Sequence, residues 1–123
     1  MAEDAKTLID RAVRSFLDEV PALKPMKLVV GVDLHGRGDL QQFRVELPQV
    51  EVTKDIAADA RVRVEMRREF FNLMVEHGAK VADWRAAFYE GKAKATGVDQ
   101  YMKLIANVVE RQEERNRTRR ARH

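Results

Sequence analysis

Few side chains in this sequence have the type and spacing that catalysis or metal binding requires. Asp33 and His35 alternate on a predicted strand and point the same way, as two ligands of a metal ion would. Two ligands leave a metal under-coordinated, so a polar pair on the solvent face is the simpler interpretation. Ser15, the only serine, lies in a predicted helix without an obvious histidine neighbour, which argues against nucleophilic hydrolysis. The sequence therefore predicts no catalytic residues, no metal site and no cofactor.

The last predicted helix carries the strongest candidate for a binding surface. Its apolar stripe recurs at helical spacing, and such a stripe is most often ordinary core. A cavity is favoured because Met102 and Val109 widen the stripe, the methionines supply adaptable thioethers, and two alanines of the preceding strand leave room beneath. The alternative is that the rings of Trp84 and Phe88 fill this room. The predicted ligand-binding residues are Met66, Phe70, Met74, Trp84, Phe88, Ala93, Ala95, Tyr101, Met102, Ile105 and Val108.

Hydrophobic periodicity predicts an α+β domain in which these residues lie between a sheet and its covering helices. The strands alternate apolar and polar residues, so one mixed, mostly antiparallel sheet should carry the helices on its apolar face. The first four strands are expected to form a meander. The predicted strands are 26–35, 42–47, 50–53, 61–66 and 92–96, and the predicted helices begin near residues 4, 70, 81 and 99.

The segment 91–99, Gly-Lys-Ala-Lys-Ala-Thr-Gly-Val-Asp, predicts a short strand closed by glycines and followed by a helix. Together with the Ala-Asp strand at 58–66 and the helix at 68–74, it resembles the sterol carrier protein-2 family. The order and spacing of the elements agree over residues 7–109. The family usually places larger apolar residues where Ala93 and Ala95 stand. The resemblance implies a five-stranded α+β fold with a hydrophobic tunnel for sterols, fatty acids or their coenzyme A esters.

The net charge of +3 is confined to the C-terminal end of the chain. Residues 110–123 hold six arginines and three glutamates, so residues 1–109 are neutral overall. We predict a sterol carrier protein-2-like domain over residues 1–110 and a basic polar tail over 111–123. The tail has three interpretations: a disordered solubilising end, attraction to an anionic membrane surface, or contact with nucleic acid. The tail has no aromatic residue for base stacking, which weakens the third.

The composition is that of one soluble domain. The 123 residues are 45% apolar and 35% charged, and the absence of cysteine excludes disulfides and thiolate metal sites. The polar, acidic N-terminus does not resemble a secretory signal, so we expect a cytoplasmic protein. The first hypothesis for function is a non-enzymatic carrier of a lipid or another hydrophobic small molecule. The alternatives are an interaction or homodimerisation module with a filled cavity, and a nucleic-acid-binding protein.

Overall fold

A computed structural model describes residues 4–121 of the chain, with side chains described as far as Arg119. No helix in this part of the chain is long and apolar enough to cross a membrane. The helices are α1 (Ala5–Glu19), α2 (Arg68–Glu76), α3 (Val81–Tyr89) and α4 (Asp99–Ala121), with a short 3₁₀ turn at Pro21–Leu23. The strands are β1 (Leu28–His35), β2 (Leu40–Leu47), β3 (Glu51–Lys54), β4 (Val62–Arg67) and β5 (Ala93–Gly97).

The five strands form one mixed sheet in the order β3-β2-β1-β4-β5. Only β1 and β4 pair in parallel; the other three neighbouring pairs are antiparallel. The predicted α+β class and mostly antiparallel sheet are therefore confirmed. The predicted four-strand meander is wrong in its last step, because β4 pairs with β1 instead of β3. Alternation along a strand shows which face is buried but does not identify the strand's neighbour.

The connection from β3 to β4 crosses the outer face of the sheet and is held there by arginines. Arg44 of β2 pairs with Asp59 of the connection at 2.9 Å. Arg63 of β4 donates to the carbonyl of Ala57 at 3.0 Å and to the buried carboxylate of Asp33 at 2.7 Å. These bonds join the crossing segment to β2 and β4, and Arg63 also joins β4 to β1.

The inner face of the sheet carries the apolar core beneath the helices. The main core contains Leu34 and Val45 from the sheet with Ile9 of α1, all 1% exposed or less. The side chains of Phe71 from α2 and Trp84 from α3 complete it, with ring centroids 6.1 Å apart. A second core joins the end of α1, the 3₁₀ turn and the middle of α4 through Leu17, Val20, Leu23, Val50, Val81 and Val109. The α3 helix contributes to both cores.

Candidate ligand-binding cleft

A cleft of about 380 Å³ lies between α2 and α3 and reaches the start of β5. Its lining is apolar along both helices and polar at the rim. The apolar lining residues are Phe70, Leu73, Met74, Ala79, Ala86 and Ala87. The polar lining residues are His77, Asp83, Glu90 and Lys92.

The rotation of α2 about its axis turns one apolar side of the helix toward the cleft. Phe71 and Val75 face the main core and are 4% and 7% exposed. Phe70 and Met74 each precede one of them and are only half-buried. Leu73 is 55% exposed and lines the cleft. The α2 helix thus has more apolar surface than its contact with the sheet uses.

The α3 helix leaves room for the cleft because its facing side chains are small. Ala86 and Ala87 lie opposite the apolar side of α2. Only residues 77–80 connect the two helices, and Gly78 within them adopts a φ of +68° that favours glycine. A tight turn followed by small side chains holds two helices close together without filling the space between them.

The rim places a cation close to an aromatic ring. The Lys92 ammonium lies 5.9 Å from the centroid of the Phe70 ring and pairs with the Glu90 carboxylate at 3.1 Å. Asp83 accepts a hydrogen bond from the backbone N–H of Lys80 at 2.8 Å, which fixes the first turn of α3. The arrangement can contact one side of an apolar group and offer an ammonium to an anionic one. Within residues 4–121 there is no cluster of three or more His, Asp or Glu side chains able to hold a metal ion.

The structure divides the predicted ligand-binding residues among three locations. Two of them, Phe70 and Met74, line the cleft. Met66, Trp84 and Ala93 are buried in the main core, and Phe88 packs against it. On α4, Ile105 and Val108 pack against the second core, while Tyr101 and Met102 are half-buried. Ala95, on β5, is also half-buried.

The interior beside β5 is built as packed core. Ala93 is 2% exposed and belongs to the same cluster as Trp84, which is 9% exposed. The cleft therefore lies on the α2 side of α3, whereas the sequence placed the cavity on the α4 side.

Sequence reasoning missed several residues that line the cleft, including His77, Asp83, Ala86 and Lys92. The alanine pair at 86–87 was a visible signal. Small residues, however, fit a tight helix contact as well as an opening, so the signal was ambiguous. The rim residues are ordinary charged side chains whose position depends on how the two helices are turned.

The Asp33 and His35 side chains do not converge on a common site. Asp33 binds Arg63 at 2.7 Å and accepts a hydrogen bond from Gln42 at 3.3 Å. His35 contacts the Glu65 carboxylate through Nε2 at 3.0 Å. Each side chain therefore has its own partners on neighbouring strands. Asp33 is only 6% exposed, so the prediction that it lies on the solvent face is wrong, whereas His35 is exposed as predicted.

An antiparallel-rich five-stranded sheet, covered by helices on its apolar face and with β4 beside β1, defines a sterol carrier protein 2-like fold. The solution structure of palmitated SCP2L2 from Aedes aegypti matches with a TM-score of 0.57 and 20% identity, covering 87% of this chain and 95% of that one. Sterol carrier protein domain 2 of Helicoverpa armigera matches with a TM-score of 0.58 and 12% identity, covering 87% and 84%.

The crystal structure of sterol carrier protein 2 like 2 from Aedes aegypti gives a TM-score of 0.53 and 21% identity, covering 80% of this chain and 94% of that one. No protein-family model matches the sequence, and no curated protein sequence matches it. At these identities the likeness establishes the fold. The resemblance drawn from segment 91–99 and from the order and spacing of the elements along the chain is confirmed at that level.

Proposed function

We propose that this protein is a non-enzymatic lipid carrier that holds the apolar body of its ligand in the cleft between α2 and α3. The observation that carries the proposal is the cleft itself: about 380 Å³, apolar along both helices and polar only at its rim. Small-molecule sites usually have this composition and a volume of roughly 300–1,000 Å³. The palmitated relative with the same fold supports a lipid as the ligand.

The energetics of the cleft favour reversible binding. Each methylene moved from water into the cleft contributes about 0.8 kcal/mol. The loss of translational freedom and the ordering of the chain offset much of this gain. A lipid that leaves a membrane for the cleft exchanges one apolar environment for another, so it gains little more. Carriage requires this balance, and it needs no catalytic group.

The rim favours an amphiphile with an anionic head. Lys92 lies above the Phe70 ring, where its ammonium can reach a carboxylate seated at the cleft mouth. Among sterols, fatty acids and fatty acyl-coenzyme A esters, the latter two carry such a charge. We therefore take a fatty acid as the first probe. The predicted binding residues outside the cleft, among them Tyr101 and Ile105, stay predictions.

The direct test is titration of a fluorescent fatty acid into the protein and two tryptophan variants. Ala86 is exposed and lines the cleft, so Ala86→Trp should fill it without straining the core and weaken binding at least tenfold. Ala82 is also exposed on α3 but does not line the cleft, so Ala82→Trp is the matched control. Equal affinity in both variants, or no binding by the parent protein, would contradict the proposal.

The non-enzymatic part of the proposal has its own test. A fatty acyl-coenzyme A ester incubated with the protein should be recovered chemically unchanged. Hydrolysis or acyl transfer above the spontaneous rate, abolished in heat-denatured protein, would show an activity that the cleft residues do not explain.

An interaction module with a filled interior is the second candidate. It is favoured by the burial of Ala93 in one core with Trp84, because a filled core leaves no tunnel between sheet and helices. This candidate predicts a dimer in sedimentation equilibrium and no lipid in native mass spectra of the purified protein. A co-purified lipid on a monomer would exclude it.

A further inference from the structure

The helices that cover the sheet expose several large apolar side chains. Tyr89 at the end of α3 is 94% exposed, and Leu104 of α4 is 46% exposed. Leu73, at the cleft itself, is 55% exposed. Each of the three lies on a different helix of one layer. Tyrosine is well suited to a membrane interface, because its ring is apolar and its hydroxyl stays hydrated.

The same helical layer carries an arginine ridge, formed by Arg111, Arg115 and Arg119. Their four-residue spacing places them on one side of α4, about 6 Å apart along the axis, and all three are exposed. The ridge is fixed to the layer because Glu113 of α4 pairs with Arg85 of α3 at 2.9 Å.

Acidic residues close to the ridge only partly balance its charge. Glu110 and Glu114 are exposed on the same segment, whereas Glu113 is engaged by Arg85. Arg117 adds a further exposed cation. Residues 110–119 hold four arginines and three glutamates, so this segment carries a net charge of +1 beside a body that is neutral over residues 1–109.

We propose that the outer surface of α2, α3 and α4 docks on a bilayer containing anionic phospholipid. Tyr89 and Leu104 enter the interfacial region, and the arginine ridge contacts the headgroup phosphates. The inference rests on the proposed function in one respect: docking brings the cleft, with Leu73 at its rim, to the bilayer from which a ligand would enter.

A bilayer fits this surface better than a nucleic acid does. Arginines alone would suit either polyanion, but the described segment 110–121 contains no aromatic residue for base stacking. Leu104 lies on the same helix as the ridge and would gain nothing from a nucleic acid, because it can neither stack on a base nor pair with a phosphate. Apolar side chains next to arginines are what an interface of acyl chains and phosphates accommodates.

The test is cosedimentation of the full chain with vesicles of phosphatidylcholine alone or mixed with phosphatidylglycerol, at low and high salt. Each basic residue near an anionic surface contributes about fivefold in partition. Replacing all three ridge arginines by glutamine should therefore lower binding to the mixed vesicles about 100-fold at low salt. The Tyr89→Ser and Leu104→Ser double variant should weaken binding about tenfold, with the salt dependence retained.

Matched controls lie on the opposite side of the sheet. The Leu40→Ser and Ile56→Ser double variant removes two apolar side chains that are 46% and 65% exposed. The triple variant Arg37→Gln, Arg61→Gln and Arg67→Gln removes the same charge from exposed positions outside the helical layer. Both controls should bind vesicles to within about twofold of the parent protein.

Three results would overturn the inference. The first is a parent protein that does not bind mixed vesicles. The second is a loss of binding in the controls as large as in the ridge and Tyr89 variants. The third is a ridge variant that loses binding to single-stranded nucleic acid while no variant binds vesicles, which would identify nucleic acid as the partner. Fatty-acid affinity without vesicles separates the two proposals. If the protein binds fatty acid but does not bind vesicles, only the membrane-docking proposal is contradicted. If it binds vesicles but does not bind fatty acid, only the lipid-carrier proposal is contradicted.

Discussion

The two flanks of α3 differ in how completely they are closed. On the α4 flank, Val81 of α3 and Val109 of α4 are 4% and 5% exposed within the second core. The ion pair between Arg85 and Glu113 spans the same two helices. On the α2 flank, small side chains such as Ala86 leave a cleft of about 380 Å³. Side-chain volume at a few positions therefore decides which side of one helix is packed and which is open to a ligand.

The two flanks also differ in how much a side chain can change at little cost to the fold. Cleft residues such as Leu73 are partly hydrated in the folded protein, so substitutions there lose little buried apolar area. Substitutions on the closed side are expected to lower stability, because a packed core is sensitive to a volume change of even one methylene. The predictions below test this division.

The largest effect is expected at Trp84, which belongs to the packed part of α3. Trp84→Ala should lower the free energy of unfolding by about 3–5 kcal/mol, because it removes a 9% exposed indole from the main core. Leu73→Ala, in the open cleft, should cost less than about 1 kcal/mol. Urea denaturation of the two variants measures both values, and similar losses would show that the cleft wall is as tightly packed as the core.

A second, smaller effect on stability is expected when a side chain in the packed core is enlarged instead of truncated. Ala93 is 2% exposed in the main core, so Ala93→Leu should destabilise the protein by about 1–3 kcal/mol. Ala86→Leu adds the same atoms on the cleft side and should leave the melting temperature nearly unchanged. A stabilised Ala93→Leu variant would reveal an unfilled tunnel beside β5, as the sequence predicted.

The ion pair between α3 and α4 should contribute still less to the free energy of unfolding. The side chains of Arg85 and Glu113 are 51% and 26% exposed, and ion pairs of this kind contribute about 0–1 kcal/mol. Arg85→Gln should therefore barely change global stability but increase hydrogen exchange in α4 beyond residue 110. Unchanged exchange in that segment would show that the pair does not hold the arginine ridge against α3.

Two exposed carboxylates should give the smallest effect, which depends on pH. Hydrogen bonds from Arg68 hold the pKa of Asp39 below its ordinary value of 3.8, and those from Arg44 do the same to the pKa of Asp59. Because these pKa values are lower in the folded protein, the pairs stabilise it above pH 3.8, and this stabilisation is lost as the pH falls through the folded values.

Urea denaturation above and below this pH range measures that loss. The double variant Asp39→Asn and Asp59→Asn should be slightly less stable than the parent protein at neutral pH. It should also lose less stability on acidification. Identical acid profiles would mean that neither pair contributes measurably.

Most of the fold could be predicted from the sequence, because strands that are apolar on one face and helices with a single stripe have only one way to be buried. The rotation of α2 about its own axis could not be predicted from the sequence. Its apolar residues Phe70, Phe71, Leu73, Met74 and Val75 cover more than one face, so helical periodicity does not select the buried side. The helical spacing of Phe70, Leu73 and Met74 predicts that they form the buried stripe. In the structure Phe71 and Val75 are the buried residues, Phe70 and Met74 are half-buried, and Leu73 is exposed.

The C-terminal segment shows a similar limit. It lacks an apolar stripe, and a disordered end was one interpretation of it. The structure continues α4 to Ala121, so residues 111–121 lengthen the last helix. The half-buried residues of this segment include polar ones such as Gln112 and Asn116. A search for apolar periodicity therefore could not have shown which side of the segment is half-buried. The domain boundary at residue 110 stays a prediction.

The central claim, that the ligand lies on the α2 flank of α3 rather than the α4 flank, is tested most directly by NMR of ¹³C-methyl-labelled methionine during a fatty-acid titration. Met74 lines the cleft, and Met102 reports on α4. The account predicts a saturable shift of the Met74 methyl signal and intermolecular NOEs from it to the acyl chain, with the Met102 signal unmoved. Saturable shifts and NOEs at Met102, with Met74 unchanged, would contradict it and move the binding site to the tunnel beneath α4.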